Sequence, residues 1–520
     1  MATSNTQDVF ESVANSVFEH VKKKAPPDVE LDLSLDTSLY DVGLDSLARM
    51  DVANSLEQTF GMRFSEESLY DIETCRDLVE CIVENMADSD PLKAAAAEKK
   101  APVAEPRKAS VSTAEIPEET HDVRLFPECV GMEQQLAAAA AFGVTNPFFR
   151  VNERLHGARS QVNSRDLINF TSFDYLGLAR DPRVIAAAKA GMDQFGTSAS
   201  ASRLVGGENT LLQDLDRELA KFLGTEAALI LPSGYGTNAS LFGHLFGADD
   251  LIVYDELSHN SIVTGSQLSK AKRRSFPHND HAFLDKLLAD IRGDFRRVVV
   301  ALEGTYSMDG DYPSLPDFVE IKNRHKALLY IDEAHSVGVM GPTGRGICEK
   351  FGVDPNEGDL WMGTISKALA SGGGYIAGRK TLIQYLKYTM PAFVFATAAS
   401  PANSAATLTA LRIIEQEPER VTRLRERSTQ FLELAKGLGL NVGESEGTPI
   451  VPIIIGNSMR CMEISQQLME RGVNAQPILY PAVPEKASRV RFFINADHTP
   501  EEIQHTIDAL QASLEATAET

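Results

Sequence analysis

Apolar positions recur along this chain in three successive regimes. Over residues 1–88 they follow a helical period, as with Leu47, Met50, Leu56 and Phe60. This spacing predicts helices over Val9–Val21, Ser46–Phe60 and Cys75–Met86, with a short turn near Glu66–Tyr70, a four-helix bundle. Residues 89–120 carry no periodicity, are rich in Ala, Pro, Glu and Lys, and hold four helix-breaking prolines: Pro91, Pro102, Pro106 and Pro117. They read as a flexible tether. Beyond residue 121, after a leading helix over Glu133–Phe142, short apolar runs alternate with helical stretches. The runs are Ala227–Leu231, Leu251–Tyr254, Val298–Glu303, Leu328–Asp332 and Gly374–Gly378. Continuous apolar strands between helices predict an α/β fold on a mostly parallel, doubly wound sheet. From about Leu408 the pattern changes to helices, then Ile450–Ile455, Met459–Gly472 and Arg489–Ile494, a smaller α+β domain. The expected organisation is multidomain: 1–88, a linker over 89–120, a large domain over 121–407 and a small domain over 408–520.

Charge sharpens this division. The chain carries −23 formally, and residues 1–88 hold 19 acidic and 6 basic side chains, a net of −13. Such an excess argues against nucleic acid or an anionic membrane as partner. No apolar run reaches the length of a membrane span, and the first residues lack the layout of a secretory signal. Cys75, Cys81, Cys129, Cys348 and Cys461 are scattered without metal spacing and read as reduced thiols, which points to a cytoplasmic protein with no metal site.

Candidate chemistry lies at the predicted strand ends. Lys367 sits in Thr364-Ile365-Ser366-Lys367, just before the glycine run Gly372–Gly374. A lysine whose amine is desolvated there can form an imine with an aldehyde. Asp332, ending an apolar strand 35 positions earlier, suits the ring nitrogen of pyridoxal phosphate (PLP), whose protonated pyridine is an electron sink. Ser233-Gly234-Tyr235 opens a helix after a strand, where free amides favour a phosphate. His259 follows another strand, and Glu303–Asp311 is a polar strand exit. In the front module, Asp45-Ser46-Leu47 follows the turn at Gly43 and places Ser46 at a helix N-terminus, a favourable place for a phosphodiester.

The front module, with its size, acidity, helical pattern and Asp-Ser-Leu motif, resembles the acyl carrier protein family. The resemblance implies that Ser46 carries 4′-phosphopantetheine and that a phosphopantetheinyl transferase is a partner. Residues 130–515 resemble the α-oxoamine synthases, fold-type I PLP enzymes. The resemblance rests on Asn169–Gly177, Ser200–Leu204, Ser233–Tyr235, Ser258-His259, Glu303–Asp311, Asp332–His335, Thr364–Lys367 and Ser488–Arg491, in that order. It implies that Lys367 binds PLP covalently and moves protons at the substrate α-carbon. Asp332 would pair with the ring nitrogen, His335 with the ring hydroxyl, and His259 would stack on the ring. Ser233, Gly234, Tyr235 and Thr364 would surround the phosphate, with Glu303 and Ser307 behind. Thr397 would contact the phosphate of the other subunit, so a homodimer is implied. Arg491 would hold the amino-acid carboxylate, and Ser202 would line the side-chain pocket. Phe173 departs from the asparagine found at its position in several members; an aromatic there is more like the serine palmitoyltransferase branch.

The reaction implied is a decarboxylative condensation of a small amino acid with an acyl thioester, giving an α-amino ketone. The fused carrier suggests that the acyl chain rides on Ser46, loaded by an acyl-AMP ligase or a polyketide or fatty-acid synthase, as chain release in natural-product biosynthesis. Two alternatives stand beside it: an acyl-CoA-dependent synthase such as 8-amino-7-oxononanoate synthase, and a carrier scaffold with an inactive PLP-like domain. Alanine, glycine and serine are all open as co-substrate.

Overall fold

The computed structural model describes residues 4–24, 74–88, 116–141, 146–480 and 482–518, with scattered positions between 33 and 60. The described residues fall into two compact units, Met1–Glu118 and Glu119–Thr520. In the first, helices Ser4–Lys24 and Cys75–Asp88 contain the two predicted at either end of the module. Their apolar faces meet through Val13, Val17, Val21, Leu78, Val79 and Ile82, joined by Leu39, Val52 and Leu56. Each such fully buried aliphatic contributes about 2 kcal/mol. Ser46, most of the helix expected over Ser46–Phe60, the turn at Glu66–Tyr70 and most of the linker lie outside the described residues.

The second unit carries fourteen strands among its described residues: β1 (Arg154–His156), β2 (Arg159–Val162), β3 (Arg165–Asn169), β4 (Ala227–Leu231), β5 (Asp250–Asp255), β6 (Lys272–Phe276), β7 (Arg297–Glu303), β8 (Leu328–Asp332), β9 (Leu360–Thr364), β10 (Gly374–Gly378), β11 (Ile450–Ile454), β12 (Val473–Asn474), β13 (Gln476–Ile478) and β14 (Arg489–Phe493). Seven form the central sheet in the order β4-β10-β9-β8-β7-β5-β6. Its pairings are parallel except those of β10, which runs against both neighbours, so the sheet is mixed with one reversed strand. The apolar runs predicted as β4, β8 and β10 match in register, because strands buried on both faces leave no polar alternation to mislead. Two strands of this sheet were not among those runs. The β6 segment Lys-Arg-Arg-Ser-Phe is polar because it edges the sheet, and β9 merges into the lysine loop.

The chain ends share the remaining sheets. The leading helix starts earlier than predicted, at Pro127. β3 pairs in parallel with β12, bringing residues 165–169 of the expected large domain against Val473–Asn474 of the expected small one. β14 lies between β11 and β13, with Arg491 opposite Pro452 and Gln476.

Register decides where the chemistry converges. Glu303 stands opposite Asp332, Asp332 opposite Met362, and Gly374 opposite both Leu231 and Thr364. The carboxyl ends of β4, β7, β8 and β9 therefore share one edge of the sheet, where open α/β sheets bind ligands. Because β10 is antiparallel to β9, their connection is only residues 365–373, and it holds Lys367 at that edge.

Candidate active site

A cavity of about 180 Å³ opens at this edge, lined by Gly234, Tyr235, Asn238, His259, Ser261, Glu303, Asp332, Ala334, His335, Met362, Thr364, Ser366 and Lys367. Eight of the residues singled out from sequence are thus brought together: Gly234, Tyr235, His259, Glu303, Asp332, His335, Thr364 and Lys367. Burial lowers the Lys367 amine to about 8; Asp332 and Glu303 oppose this and Arg491 adds to it. Phe173 covers the ammonium, its ring centroid 5.7 Å from Nζ, and packs edge-on to Phe493 and His335.

Asp332 is held from two sides. Its Oδ1 accepts from the Ala334 amide at 2.9 Å, and its Oδ2 accepts from Asn238 Nδ2 at 2.8 Å. The same Asn238 amide donates to Ser261 Oγ at 2.9 Å and accepts from the Tyr330 hydroxyl. Ser261 in turn lies 2.7 Å from His259 Nδ1, which also accepts the Ser261 amide. An accepting Nδ1 leaves the ring proton on Nε2. Burial, with Lys367 nearby, lowers His259 although Asp332 pulls the other way. Glu303 accepts the His259 backbone amide. Burial and the adjacent Asp332 carboxylate raise it well above the usual carboxylate range, while the His259 amide and Lys367 pull the other way. His335 is buried, held well below its ordinary value, and lies 2.7 Å through Nδ1 from the Tyr175 hydroxyl.

The helix Gly234–Leu245 begins at this rim, capped by Ser233, whose hydroxyl accepts from the Gly236 amide at 3.1 Å. Thr364 and Ser366 hydroxyls lie 2.7 Å apart beside it. A Cβ on Gly234 would stand 2.9 Å from Thr364 Oγ1, so only glycine lets helix and strand close around this point. Free amides and hydroxyls make a phosphate cradle. Cradle, desolvated amine, imidazole and a carboxylate with fixed partners match the phosphate, aldehyde, ring face and ring nitrogen of PLP; the residues fit the cofactor.

Four other expected residues lie outside the cavity. Arg491 Nη1 donates to the Ser307 carbonyl at 2.6 Å, its guanidinium stacks 4.5 Å over Phe493, and its buried Nε has no partner. Burial lowers it to about 10. Ser307 thus acts through its backbone on Arg491. The Ser202 carbonyl accepts the Val205, Gly206 and Gly207 amides, and Thr397 follows the exposed Phe395; this chain by itself does not bring either to the cavity. Asn238, Ser261 and Tyr175 were missed as site residues. Tyr175 stands inside Asn169–Gly177, Asn238 lies three residues beyond Tyr235 and Ser261 two beyond His259, and nothing in one-dimensional spacing distinguishes them from other polar residues of helices or loops.

A family profile for aminotransferases of class I and II matches residues 165–510, and one for the phosphopantetheine attachment site matches residues 26–82. The 8-amino-7-oxononanoate synthase of Symbiobacterium thermophilum is 40% identical over 351 residues, 68% of this chain and 89% of that protein. This chain is an α-oxoamine synthase fused to a carrier domain. The Bacillus subtilis 8-amino-7-oxononanoate synthase 1 is 36% identical over 359 residues, 69% and 91% of the two chains. Among solved structures, Sphingomonas wittichii serine palmitoyltransferase superposes with a TM-score of 0.73 at 28% identity, covering 76% of this synthase and 99% of that chain. The Francisella tularensis 8-amino-7-oxononanoate synthase gives 0.58 at 26% identity, covering 68% and 98%. The synthase is a PLP-dependent acyltransferase, with 4′-phosphopantetheine as the carrier's prosthetic group. Ser46 lies within the matched carrier span. Among the described residues no helix is long and apolar enough to cross a membrane, and no cluster of metal ligands occurs.

Proposed function

We propose that the protein condenses a small amino acid with an acyl thioester held on its own carrier domain, releasing an α-amino ketone, carbon dioxide and the free carrier thiol. The observation carrying this reading is the presence, in one polypeptide, of a carrier domain and a synthase cavity lined by Lys367, Asp332 and His259. A tether such as residues 89–120 raises the local concentration of one at the other. Loading would come from a phosphopantetheinyl transferase and an upstream acyl-AMP ligase or polyketide or fatty-acid synthase. The working unit is a homodimer in which Thr397 serves the other subunit's site.

PLP bound in the cavity supplies the electron sink that lets the amino acid's α-carbon lose a proton, attack the thioester and shed carbon dioxide. The residues of the chain do the rest. Asp332, fixed by Asn238 and Ala334, would pair with the ring nitrogen of the bound cofactor. Lys367, with its amine at about 8, holds the neutral form needed to take the α-proton and the protonated form needed to return one. His259 keeps Nε2 protonated and offers it to the thioester oxygen as charge develops there. Arg491, whose buried Nε has no partner in the chain, would hold the amino-acid carboxylate, a task for a planar guanidinium. Phe173 shields the amine from water.

The test is the intact mass of the full-length, phosphopantetheinylated protein carrying an acyl chain, followed as each small amino acid is added. Loss of the acyl mass from Ser46 with one amino acid, dependent on Lys367, is expected. Full turnover by Ser46→Ala with a physiological acyl donor would overturn the carrier's role. The identity with 8-amino-7-oxononanoate synthases favours a second reading, in which acyl-CoA is the donor and the carrier does not donate; turnover of acyl-CoA with the carrier-bound chain untouched selects it.

A further inference from the structure

His278 lies outside the cavity, in the loop that follows edge strand β6, yet it joins the two loops that carry His259 and support Arg491. Its Nδ1 is 2.8 Å from Asp255 Oδ1 and its Nε2 is 2.7 Å from Asp311 Oδ2. Asp255 ends β5, is fully buried, and also accepts the Leu257 amide at 2.9 Å and the Asn279 amide at 2.8 Å. Asp311 is 3% exposed and takes Asn279 Nδ2 on the same oxygen at 2.8 Å. A carboxylate only accepts, so both ring nitrogens donate and the imidazole is a cation. Burial works against that charge, but the hydrogen bonds and attraction of Asp255 and Asp311 outweigh it and push His278 up to about 10.

The two carboxylates anchor functional loops. Asp255 begins the segment that ends at His259, three residues beyond Glu256, whose carboxylate accepts the His278 amide at 3.0 Å. Asp311 closes the loop after β7: its carbonyl accepts the Tyr306 amide at 3.0 Å, and the Tyr306 carbonyl accepts the Gly310 amide at 2.9 Å. The Tyr306 ring stands edge-on to His278 at 4.5 Å. From the far side of the same loop, Arg489 Nη1 reaches the Met308 carbonyl at 2.9 Å and Asp309 at 2.6 Å, and Arg491 Nη1 reaches the Ser307 carbonyl. Thr448 closes on the Gly310 carbonyl at 2.8 Å.

We infer that His278 is a positioning residue: its imidazolium clamps Asp255 to Asp311 and so holds the 304–311 loop where it aims Arg491 at the amino-acid substrate. Without the cation the two buried carboxylates lose the donor that ties them together and repel, so that one takes up a proton or Asp311 shifts with its loop, and in either case the tie between the loops is lost. The inference rests on the reading of Arg491 as the carboxylate site.

The test is steady-state kinetics on full-length holoenzyme carrying His278→Gln, with an acyl-N-acetylcysteamine thioester supplied in solution as the donor and Arg491→Gln measured alongside. His278→Gln is expected to raise KM for the amino acid tenfold or more while kcat and KM for the thioester change less than threefold. Adding Asp311→Asn, which removes the buried repulsion, is expected to recover at least half of that rise on a logarithmic scale. If Arg491→Gln raises the amino-acid KM and His278→Gln does not, the clamp is refuted while the carboxylate reading stands. If neither moves it, the carboxylate reading fails and the clamp falls with it. If His278→Gln lowers kcat and raises both KM values together, without recovery by the second change, the residue is merely structural and the clamp is again refuted. Should His278→Gln not fold, Asp311→Asn alone is expected to raise the amino-acid KM about threefold, and no change overturns the inference.

Discussion

The lowered Lys367 amine can be tested without any turnover. A lysine at its ordinary value near 10.5 is only about 0.1% neutral at pH 7.5, whereas one at about 8 is about a quarter neutral, a gain of more than ~200-fold in reactive amine. The structural cause is burial of the amine, only partly offset by Asp332 and Glu303. Competitive labelling of the cofactor-free protein with trace acetic anhydride, followed by mass spectrometry of the Lys367 peptide, reads this directly. Labelling should rise tenfold per pH unit up to about pH 7.5, bend near 8 and level off by 9. Asp332→Asn removes the largest force favouring the ammonium, so the bend should move lower. A bend at or above about pH 9.5, or an upward move in Asp332→Asn, would refute the reasoning. Stability must follow the same sign. The folded amine lies below its unfolded value, so the unfolded chain binds more protons between about pH 8 and 10.5. The cofactor-free protein therefore gains stability over that interval, by about 3 kcal/mol from this group.

Two further outcomes follow from buried polar groups. Asn238→Leu leaves Asp332 Oδ2 and the Tyr330 hydroxyl without their partner in a closed site and should destabilise the cofactor-free protein by about 2–5 kcal/mol in urea unfolding; a loss under ~0.5 kcal/mol would contradict the network. His498 is buried, stacked 4.2 Å from Phe170, accepts the Asn495 amide on Nδ1 and meets the Asn169 carbonyl through Nε2, and burial lowers it to about 3. Its folded value lies below the unfolded one, so its contribution is complete above about pH 6.5 and shrinks as pH falls toward 3. Between pH 6.5 and 5 the loss is about 2 kcal/mol. His498→Gln should lack that slope when the two unfolding curves are compared across pH.

Much of the fold was legible because the buried strands are apolar on both faces: β4, β8 and β10 announce themselves as continuous runs. β6 did not, since an edge strand carries Lys272, Arg273 and Arg274 where solvent reaches it. The cofactor residues were legible for another reason. Lys367, Asp332 and His259 are residue types whose chemistry is specific, placed just after strands. Asn238, Ser261 and Tyr175 are common polar residues whose role depends on partners as far as 23 to 160 positions away.

What the sequence by itself determined is the inventory: an acidic carrier with Ser46, a proline-broken tether, an α/β unit, and an amine, a carboxylate and an imidazole in a recognisable order. Local spacing is enough for that, because periodicity and residue chemistry are properties of short stretches. What only tertiary structure decided is convergence. The antiparallel return of β10 folds the Lys367 loop back onto the sheet edge, register sets Glu303 beside Asp332, and β14 delivers Arg491 to the Ser307 carbonyl. These are pairings between distant segments, and burial in the resulting cavity, rather than any neighbour in the chain, is the largest cause of the shifts at Lys367, Glu303 and His335.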